Sequence, residues 1–431
     1  MVVHVCRRWR YVVFASPRRL HLELRCTNRS PVKKMLDVWP ALPIVIDASI
    51  TNSRRSGVNN IIAALKLHDL VRRINISGVP NSLFKSAAMK KEFPKLTNLG
   101  LFSDKDDAPV IPDSFLGGST PRLQSLYFRG IPFPFPALGK LLLSATDLLT
   151  CYLWDIPNSI IISPDLILTT LSTLTRLRLL SIGFRSPQSR ADRERRHPSQ
   201  LKRLVLPYLT KFYFKGDSEY LEDIVGRIDT PALDKVTITF FNQLVFDTPL
   251  LRDFFSRTEV FREPHRADVI FGTGIVLTLF RLEGTVEHCM LDVTIRSRVT
   301  EWKLSSLAQF CSSSFPPLPR LERLSIRGNI YHSLDEVPTD DMESSQWLEL
   351  LHPFVAVRDL MLPTDFRVAN HIVTALGELT GNTATEVLPA LRRVFIYTFE
   401  IEPIQEALAP FITARELSGH PVSVHRKGLG I

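Results

Sequence analysis

The chain has 431 residues, of which 23% are charged and 45% hydrophobic, and its formal net charge is +9 at neutral pH. This length exceeds what one compact core supports, so we expect several domains or a repeat array. The longest apolar run, Val269–Phe280, is too short to span a bilayer, which argues against a membrane partner. The positive charge is spread along the chain without a run of five like charges, a pattern that disfavours nucleic acid and favours acidic protein partners.

The cysteine pattern indicates the compartment. The five cysteines are scattered, odd in number and contain no C-x-x-C pair. They indicate reduced thiols in an intracellular protein, cytoplasmic or nuclear, and neither a disulfide framework nor a zinc site. The N-terminus has no apolar segment typical of a signal peptide.

The first 26 residues differ from the rest of the chain. Apolar residues between positions 2 and 13 recur at helical spacing, and residues 20–24 alternate like a strand. We expect the short N-terminal helix to dock on the first repeat strands through Val5, Trp9 and Val12. Burying a large aromatic side chain is worth about 2–3 kcal/mol, which favours docking.

A short motif, L-x-x-L-x-L, recurs from residue 71 onward. Seven copies begin at residues 71, 96, 123, 148, 177, 209 and 233, at intervals of 24 to 32 residues. Further copies begin at 321, 357 and 391, and a weaker strand candidate lies at 291–295. The motif and its period are typical of the strand segment of leucine-rich repeats.

Helical patterns lie between the strand motifs. Apolar residues at i, i+3, i+4 and i+7 begin at Val58, Leu138, Leu221, Leu304 and Trp347. In addition, Ser163 followed by Pro164 is a typical helix start. A strand and a helix in about 25 residues predict a parallel sheet with helices on its other face.

The predicted fold class is therefore α/β: a leucine-rich-repeat solenoid with a curved parallel sheet on the concave side, helices on the convex side and a short N-terminal helix. We expect one continuous array and not two separate globules. Residues 1–26 form the N-terminal segment with the first strand, and residues 27–431 form the solenoid. Two polar stretches, near 185–200 and 335–345, are predicted to be inserted loops.

The N-terminal segment resembles a known motif. Val5-Cys6-Arg7-Arg8-Trp9-Arg10, followed by 15–20 (ASPRRL), is similar to the C-terminal part of an F-box. Residues 36–46 (LDVWPALPIVI) and 240–247 (FFNQLVFD) resemble the F-box leucine-rich-repeat proteins of mushroom-forming fungi. Since the sequence begins within what would be the last third of an F-box, we expect the opening L-P-x-E-[IL] helix to be absent.

This resemblance implies a function. F-box proteins dock on a Skp-type adaptor in a cullin-based (SCF-type) ubiquitin ligase, and they recognise the substrate. The adaptor-binding residues that the resemblance implies are Val5, Cys6, Arg7, Arg8, Trp9 and Arg10. Because the opening helix is missing, a free-standing leucine-rich-repeat interaction scaffold without a ligase link stays the alternative.

A third possible function is that of an enzyme with its site in the hollow of the solenoid. The sequence contains no H-E-x-x-H, no G-x-S-x-G and no phosphate-binding P-loop. Gly272-Thr273-Gly274 is more typical of a turn than of a nucleotide site. We therefore expect no enzymatic activity, no cofactor and no metal.

The residues between the strand leucines are expected to face the concave side. The predicted partner-binding residues, which are rich in Tyr, Trp, Arg and Lys, are Tyr127, Arg129, Tyr152, Trp154, Lys211, Tyr213, Lys215, Arg323, Arg327, Arg393 and Tyr397. These residue types are enriched at binding hot spots. Their basic charge predicts an acidic or phosphorylated protein partner, since arginine binds carboxylate and phosphate through two hydrogen bonds. A strand preference for aromatic residues would explain the same pattern without a partner.

Overall fold

The computed structural model describes residues 7–8, 11–12, 23–29, 42–50, 55–105, 108–160, 162–187, 203–241, 243, 245–272, 274–296, 301–328, 343–381, 383–397 and 402–426. The chain forms two compact units. The first comprises Met1–Arg190 and Leu206–Leu209, and the second comprises Ala191–Val205 and Thr210–Ile431. Strands are numbered β1–β18 and helices α1–α11 in chain order.

The sheet of the first unit is parallel throughout, and each strand pairs with the next one in the chain. Its strands are β1 (Leu24–Cys26), β2 (Ile44–Ser49), β3 (Val71–Ser77), β4 (Asn98–Phe102), β5 (Ser125–Arg129), β6 (Thr150–Ile156) and β7 (Leu179–Phe184). All the strand motifs predicted between residues 71 and 182 are therefore strands. The predicted boundary between the N-terminal segment (residues 1–26) and the solenoid (residues 27–431) falls between β1 and β2. These two strands are neighbours in this sheet.

Helices connect most of these strands. They are α1 (Arg55–Leu65), α2 (Asn81–Phe84), α3 (Phe135–Ser144) and α4 (Pro164–Leu171). The predicted start of α4 is confirmed. The Ser163 hydroxyl accepts a hydrogen bond from the Leu166 amide (3.3 Å). Pro164 occupies the first turn, where a backbone N–H would have no acceptor within the helix, so its lack of an N–H costs no hydrogen bond.

The core of the first unit lies between the helices and one face of the sheet. Leu180 and Ile182 on β7 are buried, and they line a cavity of about 20 Å³ together with Ile167 and Leu171 of α4. Such close packing leaves little space between helix and strand side chains. The leucines of the strand motif therefore form the core, as predicted.

The second unit has a larger sheet, in the spatial order β9-β11-β14-β13-β12-β15-β16-β17-β18, and a separate short pair, β8 with β10. Its strands are β8 (Leu204–Val205), β9 (Lys211–Gly216), β10 (Ile228–Asp229), β11 (Lys235–Phe241), β12 (Arg266–Phe271), β13 (Gly274–Glu283), β14 (Val286–Arg296), β15 (Arg323–Gly328), β16 (Asp359–Met361), β17 (Arg393–Ile396) and β18 (Ser423–Arg426). The motifs that begin at 209, 233, 321, 357 and 391 are strands, and the weaker candidate at 291–295 lies in β14.

The prediction of an entirely parallel sheet is wrong for residues 266–296. β13 runs antiparallel to both β12 and β14. Two tight connections cause this reversal: Gly272 directly follows β12 and Gly274 begins β13, and a two-residue turn at Gly284 links β13 to β14. Gly284 has a φ of +63°, a conformation that glycine adopts without steric cost.

The helices of the second unit pack on a core rich in phenylalanine. They are α5 (Ser218–Val225), α6 (Pro249–Arg257), α7 (Glu301–Ser314), α8 (Ser344–Leu351), α9 (Phe366–Gly377), α10 (Thr383–Glu386) and α11 (Glu402–Leu417). Phe240 of β11 contacts Phe310 of α7 at a centroid distance of 5.7 Å, and Phe271 of β12 contacts Trp347 of α8 at 5.4 Å. The helices thus cover one face of this sheet and leave the other face open.

The architecture is mixed α/β with mostly parallel sheets, which is compatible with an α/β solenoid. A single continuous array stays a prediction. Residues 188–202 and 329–342, which hold most of the two predicted loops, lie outside the described residues. The last two residues of the second predicted loop, Ser344 and Ser345, lie in α8. Among the described residues, the helices are too short or too polar to cross a membrane.

Candidate functional site

The open face of each sheet is the strand face that points away from the helices. Along β5, Leu126 and Phe128 are buried while Tyr127 and Arg129 are exposed, so the side chains alternate between the core and the open face. The predicted partner-binding residues follow this alternation. Those of the first unit are Tyr127, Arg129, Tyr152 and Trp154, and those of the second are Lys211, Tyr213, Lys215, Arg323, Arg327, Arg393 and Tyr397.

An aromatic cluster occupies the open face of the first unit. Tyr127 on β5 and Tyr152 on β6 are register partners, and their ring centroids lie 5.9 Å apart. The Tyr152 and Trp154 rings stack at 5.6 Å with an interplanar angle of 23°. Burial raises the pKa of the Tyr152 phenol, so this group stays protonated at physiological pH.

Two glycines support this cluster. A Cβ atom at Gly183 of β7 would lie only 2.4 Å from the Trp154 ring, and one at Gly100 of β4 would lie 2.9 Å from the Phe102 ring. Because real Cβ atoms do not approach so closely, the two rings lie against the sheet where glycine leaves room. The aromatic platform is the name used below for Phe102, Tyr127, Tyr152 and Trp154.

Arg129 borders the aromatic platform and is held by carboxylates. Its Nε donates to Asp155 Oδ2 at 3.1 Å, and its guanidinium lies 3.6 Å from Asp104. The hydrogen bond to Asp155 raises the pKa of Arg129. Asp155 has a φ of +51° at an irregularity of β6 between Leu153 and Ile156, and this irregularity breaks the strand alternation.

The open face of the second unit carries two pairs of like charges in direct register. Lys211 on β9 is the register partner of Lys235 on β11, and Arg266 on β12 is the register partner of Arg323 on β15. Neighbouring strands lie about 4.8 Å apart, and like charges placed directly opposite destabilise a sheet. Each pair therefore concentrates positive charge at one point of the open face.

Buried carboxylates compensate part of this charge. Asp268 is 3% exposed and accepts two hydrogen bonds from Arg266, at 2.8 and 2.7 Å, while Arg327 approaches it at 3.4 Å. Arg266 also pairs with Glu287. The hydrogen bonds that Arg266 donates to Asp268 raise the pKa of Arg266.

Asp359 plays the same role further along the sheet. It is 4% exposed and accepts two hydrogen bonds of 2.7 Å from Arg393, while Arg323 Nε lies 3.8 Å away. The hydrogen bonds to Asp359 raise the pKa of Arg393. Arg323 is thus held more loosely than Arg393, and half of its side chain is exposed.

The prediction that Lys215 is available to a partner is wrong. Its side chain points to the open face, but the residue is only 9% exposed and its Nζ lies 5.4 Å from the centre of the Phe241 ring. Aromatic packing buries it. Tyr213 and Tyr397 are half-buried, and Tyr397 lies just after the end of β17.

The N-terminal predictions fall mostly outside the described residues. Arg7 and Arg8 are exposed helical residues, whereas Val5, Cys6, Trp9 and Arg10 lie outside that part of the chain. Val12 is 52% exposed, which contradicts its predicted burial against the first strands.

Sequence reasoning missed Lys235, Arg266 and Asp268. The sequence could have indicated Lys235, because Lys235 occupies the same position in its strand motif as the predicted residue Lys211 does in another. Each lysine directly precedes a core residue, Val236 and Phe212 respectively. Arg266 and Asp268 had none, because β12 lies where the repeat spacing is lost. A comparison with protein-family models found no matching family, and a search of curated proteins found no match.

Proposed function

We propose that this chain is a protein-binding, substrate-recognition subunit of a cullin-based ubiquitin ligase and performs no chemistry itself. The ligase link is supported by the resemblance of residues 5–10 to an F-box. The parallel strands at the predicted repeat positions and the open faces rich in Tyr, Trp and Arg support a recognition role. We place the protein in the cytoplasm or nucleus on the strength of its cysteine pattern.

The single observation that carries the recognition role is the two like-charge register pairs on the open face of the second unit, Lys211 with Lys235 and Arg266 with Arg323. An acidic or phosphorylated segment lying across these strands would meet the positive charge of both pairs. The cations of this face outnumber its carboxylates. The cations are Lys211, Lys215, Lys235, Arg266, Arg323, Arg327 and Arg393, and the carboxylates are Asp268, Glu287, Asp292 and Asp359. The face is therefore suited to an anionic partner.

The recognition role is tested with a fluorescent decaglutamate peptide and the full chain. The Lys211→Glu/Arg323→Glu double variant should weaken binding by at least about tenfold, because it reverses one charge in each pair. Arg252→Glu, an exposed helical position of the same unit, is the matched control and should bind like the wild type. Equal binding by all three proteins, with unchanged circular dichroism, would show that the open face of the second unit does not bind the peptide.

The ligase link needs a separate experiment. Tagged full chain is mixed with a purified Skp-type adaptor, and capture is compared with that of an Arg7→Glu/Arg8→Glu variant. If the wild-type chain captures the adaptor and this variant does not, the proposed role as a ligase subunit is supported. If the wild-type chain captures no adaptor but still binds decaglutamate, the alternative holds: a free-standing interaction scaffold.

A further inference from the structure

The aromatic platform of the first unit is not used by the recognition of acidic segments. It spans three adjacent strands, with Phe102 on β4, Tyr127 on β5, and Tyr152 and Trp154 on β6. Tyr127 is 36% exposed, and the other three are half-buried. Aromatic residues that cluster on an exposed surface mark binding sites, since their burial is worth more than that of other side chains.

Hydrogen-bond donors stand beside the rings. Within the described residues, neither the Tyr127 nor the Tyr152 phenol has a hydrogen-bond partner, although both stand on the open face. Burial raises the pKa of Tyr152, which keeps that phenol a donor. Arg129 adds a guanidinium that is 49% exposed. The strand backbone offers no further groups here, because β4–β7 use theirs in the sheet.

The charges around the rings balance. Arg129 faces Asp155 and Asp104, and the Arg185 guanidinium lies 3.1 Å from the position that a Cβ of Gly130 would occupy. Two cations therefore stand against two carboxylates. A stacking surface for single-stranded nucleic acid needs an excess of basic residues, which the aromatic platform lacks. A neutral ligand suits it better.

Apolar rings, donor groups and balanced charge together specify the ligand. A polyproline II segment presents flat pyrrolidine rings, and its carbonyl groups point outward and accept hydrogen bonds. Proline has no backbone N–H, so such a segment brings no donor that would stay unpaired on this surface. Its restricted backbone also reduces the entropy lost on binding. Aromatic-lined surfaces with these properties are a recurrent means of recognising proline-rich peptides.

We propose that the aromatic platform binds a proline-rich segment in the polyproline II conformation. The prolines stack on Tyr127, Tyr152 and Trp154, and the carbonyl groups accept hydrogen bonds from the two phenols and Arg129. This site lies on the first unit and does not depend on the ligase link or on the cation pairs of the second unit.

The test is a calorimetric titration of decaproline into the full chain. We expect saturable binding that Tyr127→Ala weakens by about tenfold, because a platform ring is lost. Gly183→Ala should weaken it similarly, since the new methyl group displaces the Trp154 ring. Tyr208→Ala is the matched control: Tyr208 is an exposed tyrosine of the same unit outside the strands, and the variant should bind like the wild type.

Three further ligands separate the alternatives: a glycine–serine peptide of equal length, a neutral hexasaccharide and oligothymidylate. None of them should bind as tightly as decaproline. Absence of decaproline binding, tighter binding of the sugar or the oligonucleotide, or unchanged binding by folded Tyr127→Ala would overturn the proposal. Circular dichroism of each variant shows whether it is folded, and Tyr127→Ala removes only a surface ring, so the test does not depend on Gly183→Ala.

Discussion

Arg415 shows how a single residue stabilises the C-terminal part of the second unit. It is fully buried in α11, and its guanidinium donates to the carbonyl groups of Ala384 (3.3 Å), Pro389 (3.2 Å) and Leu391 (2.9 Å). Burial lowers the pKa of Arg415. The side chain therefore donates hydrogen bonds to α10 and to the loop between α10 and β17.

Replacing Arg415 by alanine should lower the free energy of unfolding by about 3 kcal/mol. The loss combines a cavity with three carbonyl groups that no longer have their donor, and each unsatisfied buried group costs about 1–3 kcal/mol. Urea denaturation measures the effect. Glu416→Ala, the exposed neighbour, should change stability by less than about 0.5 kcal/mol. Similar stabilities for the two variants would contradict the role given to Arg415.

Asp292 is a second informative residue, because it is a half-buried carboxylate on the open face of the second unit. Burial raises its pKa, although Lys235 and hydrogen bonds from Thr294 and Thr278 partly oppose the rise. A carboxyl group with a raised folded-state pKa binds its proton more tightly in the native state. Native stability therefore falls as the pH rises from the unfolded-state pKa, about 4, through the folded-state value.

Asp292→Asn removes this titration. The wild type should lose stability relative to the variant as the pH rises above about 4, and the difference should level off once Asp292 is ionised in the native state. Urea denaturation of both proteins at several pH values measures it. A stability difference that is independent of pH would show that Asp292 is not perturbed.

At the scale of elements, successive helices of the second unit are joined by a buried carboxylate. Glu222 on α5 is 4% exposed and accepts hydrogen bonds from the amides of Leu250 (3.1 Å) and Leu251 (2.5 Å) at the start of α6. The first amides of a helix have no partner inside the helix, and the positive end of its dipole attracts an anion. Glu222 thus caps the next helix along the chain.

Glu222→Ala should destabilise the protein by about 2 kcal/mol, because two buried amides lose their acceptor. Amide hydrogen exchange at the start of α6 should become faster than in the wild type, which locates the effect. Glu219→Ala, on the same helix but outside this cap, is the control and should leave exchange in α6 unchanged. Faster exchange spread evenly over the unit, with none specific to α6, would argue against the capping role.

At the scale of the whole molecule, the two open faces differ in charge. The face of the second unit has unbalanced cations, whereas the charges beside the aromatic platform balance. Salt screens interactions between exposed charges, with a Debye length of about 10 Å at 0.1 M. Hydrophobic stacking does not weaken in the same way.

Salt should therefore separate the two proposed activities. Between 50 and 500 mM NaCl we expect decaglutamate affinity to fall by about tenfold or more, and decaproline affinity to change by about twofold at most. Fluorescence anisotropy for the first ligand and calorimetry for the second measure these changes. Equal salt dependence of the two ligands would mean that they share one type of site.

The sequence alone predicted the strands at the repeat motifs, several helices and many residues of the open faces, but not β12 or its residues Arg266 and Asp268. Strand alternation and helical spacing are local properties, so Leu126 and Phe128 could be placed in the core and Tyr127 on the opposite face. The start of α4 at Pro164 was predictable for the same reason, because a helix cap depends on adjacent residues.

Only the tertiary structure decided how the charges are paired. Arg393 meets Asp359, and Arg327 approaches Asp268, across strands far apart in the chain, and these contacts depend on register and strand order. β13 lies antiparallel between β12 and β14, so that β12 pairs with β15 and Arg327 approaches Asp268, and packing against Phe241 buried Lys215. Such contacts arise from long-range packing, which a local periodicity does not encode.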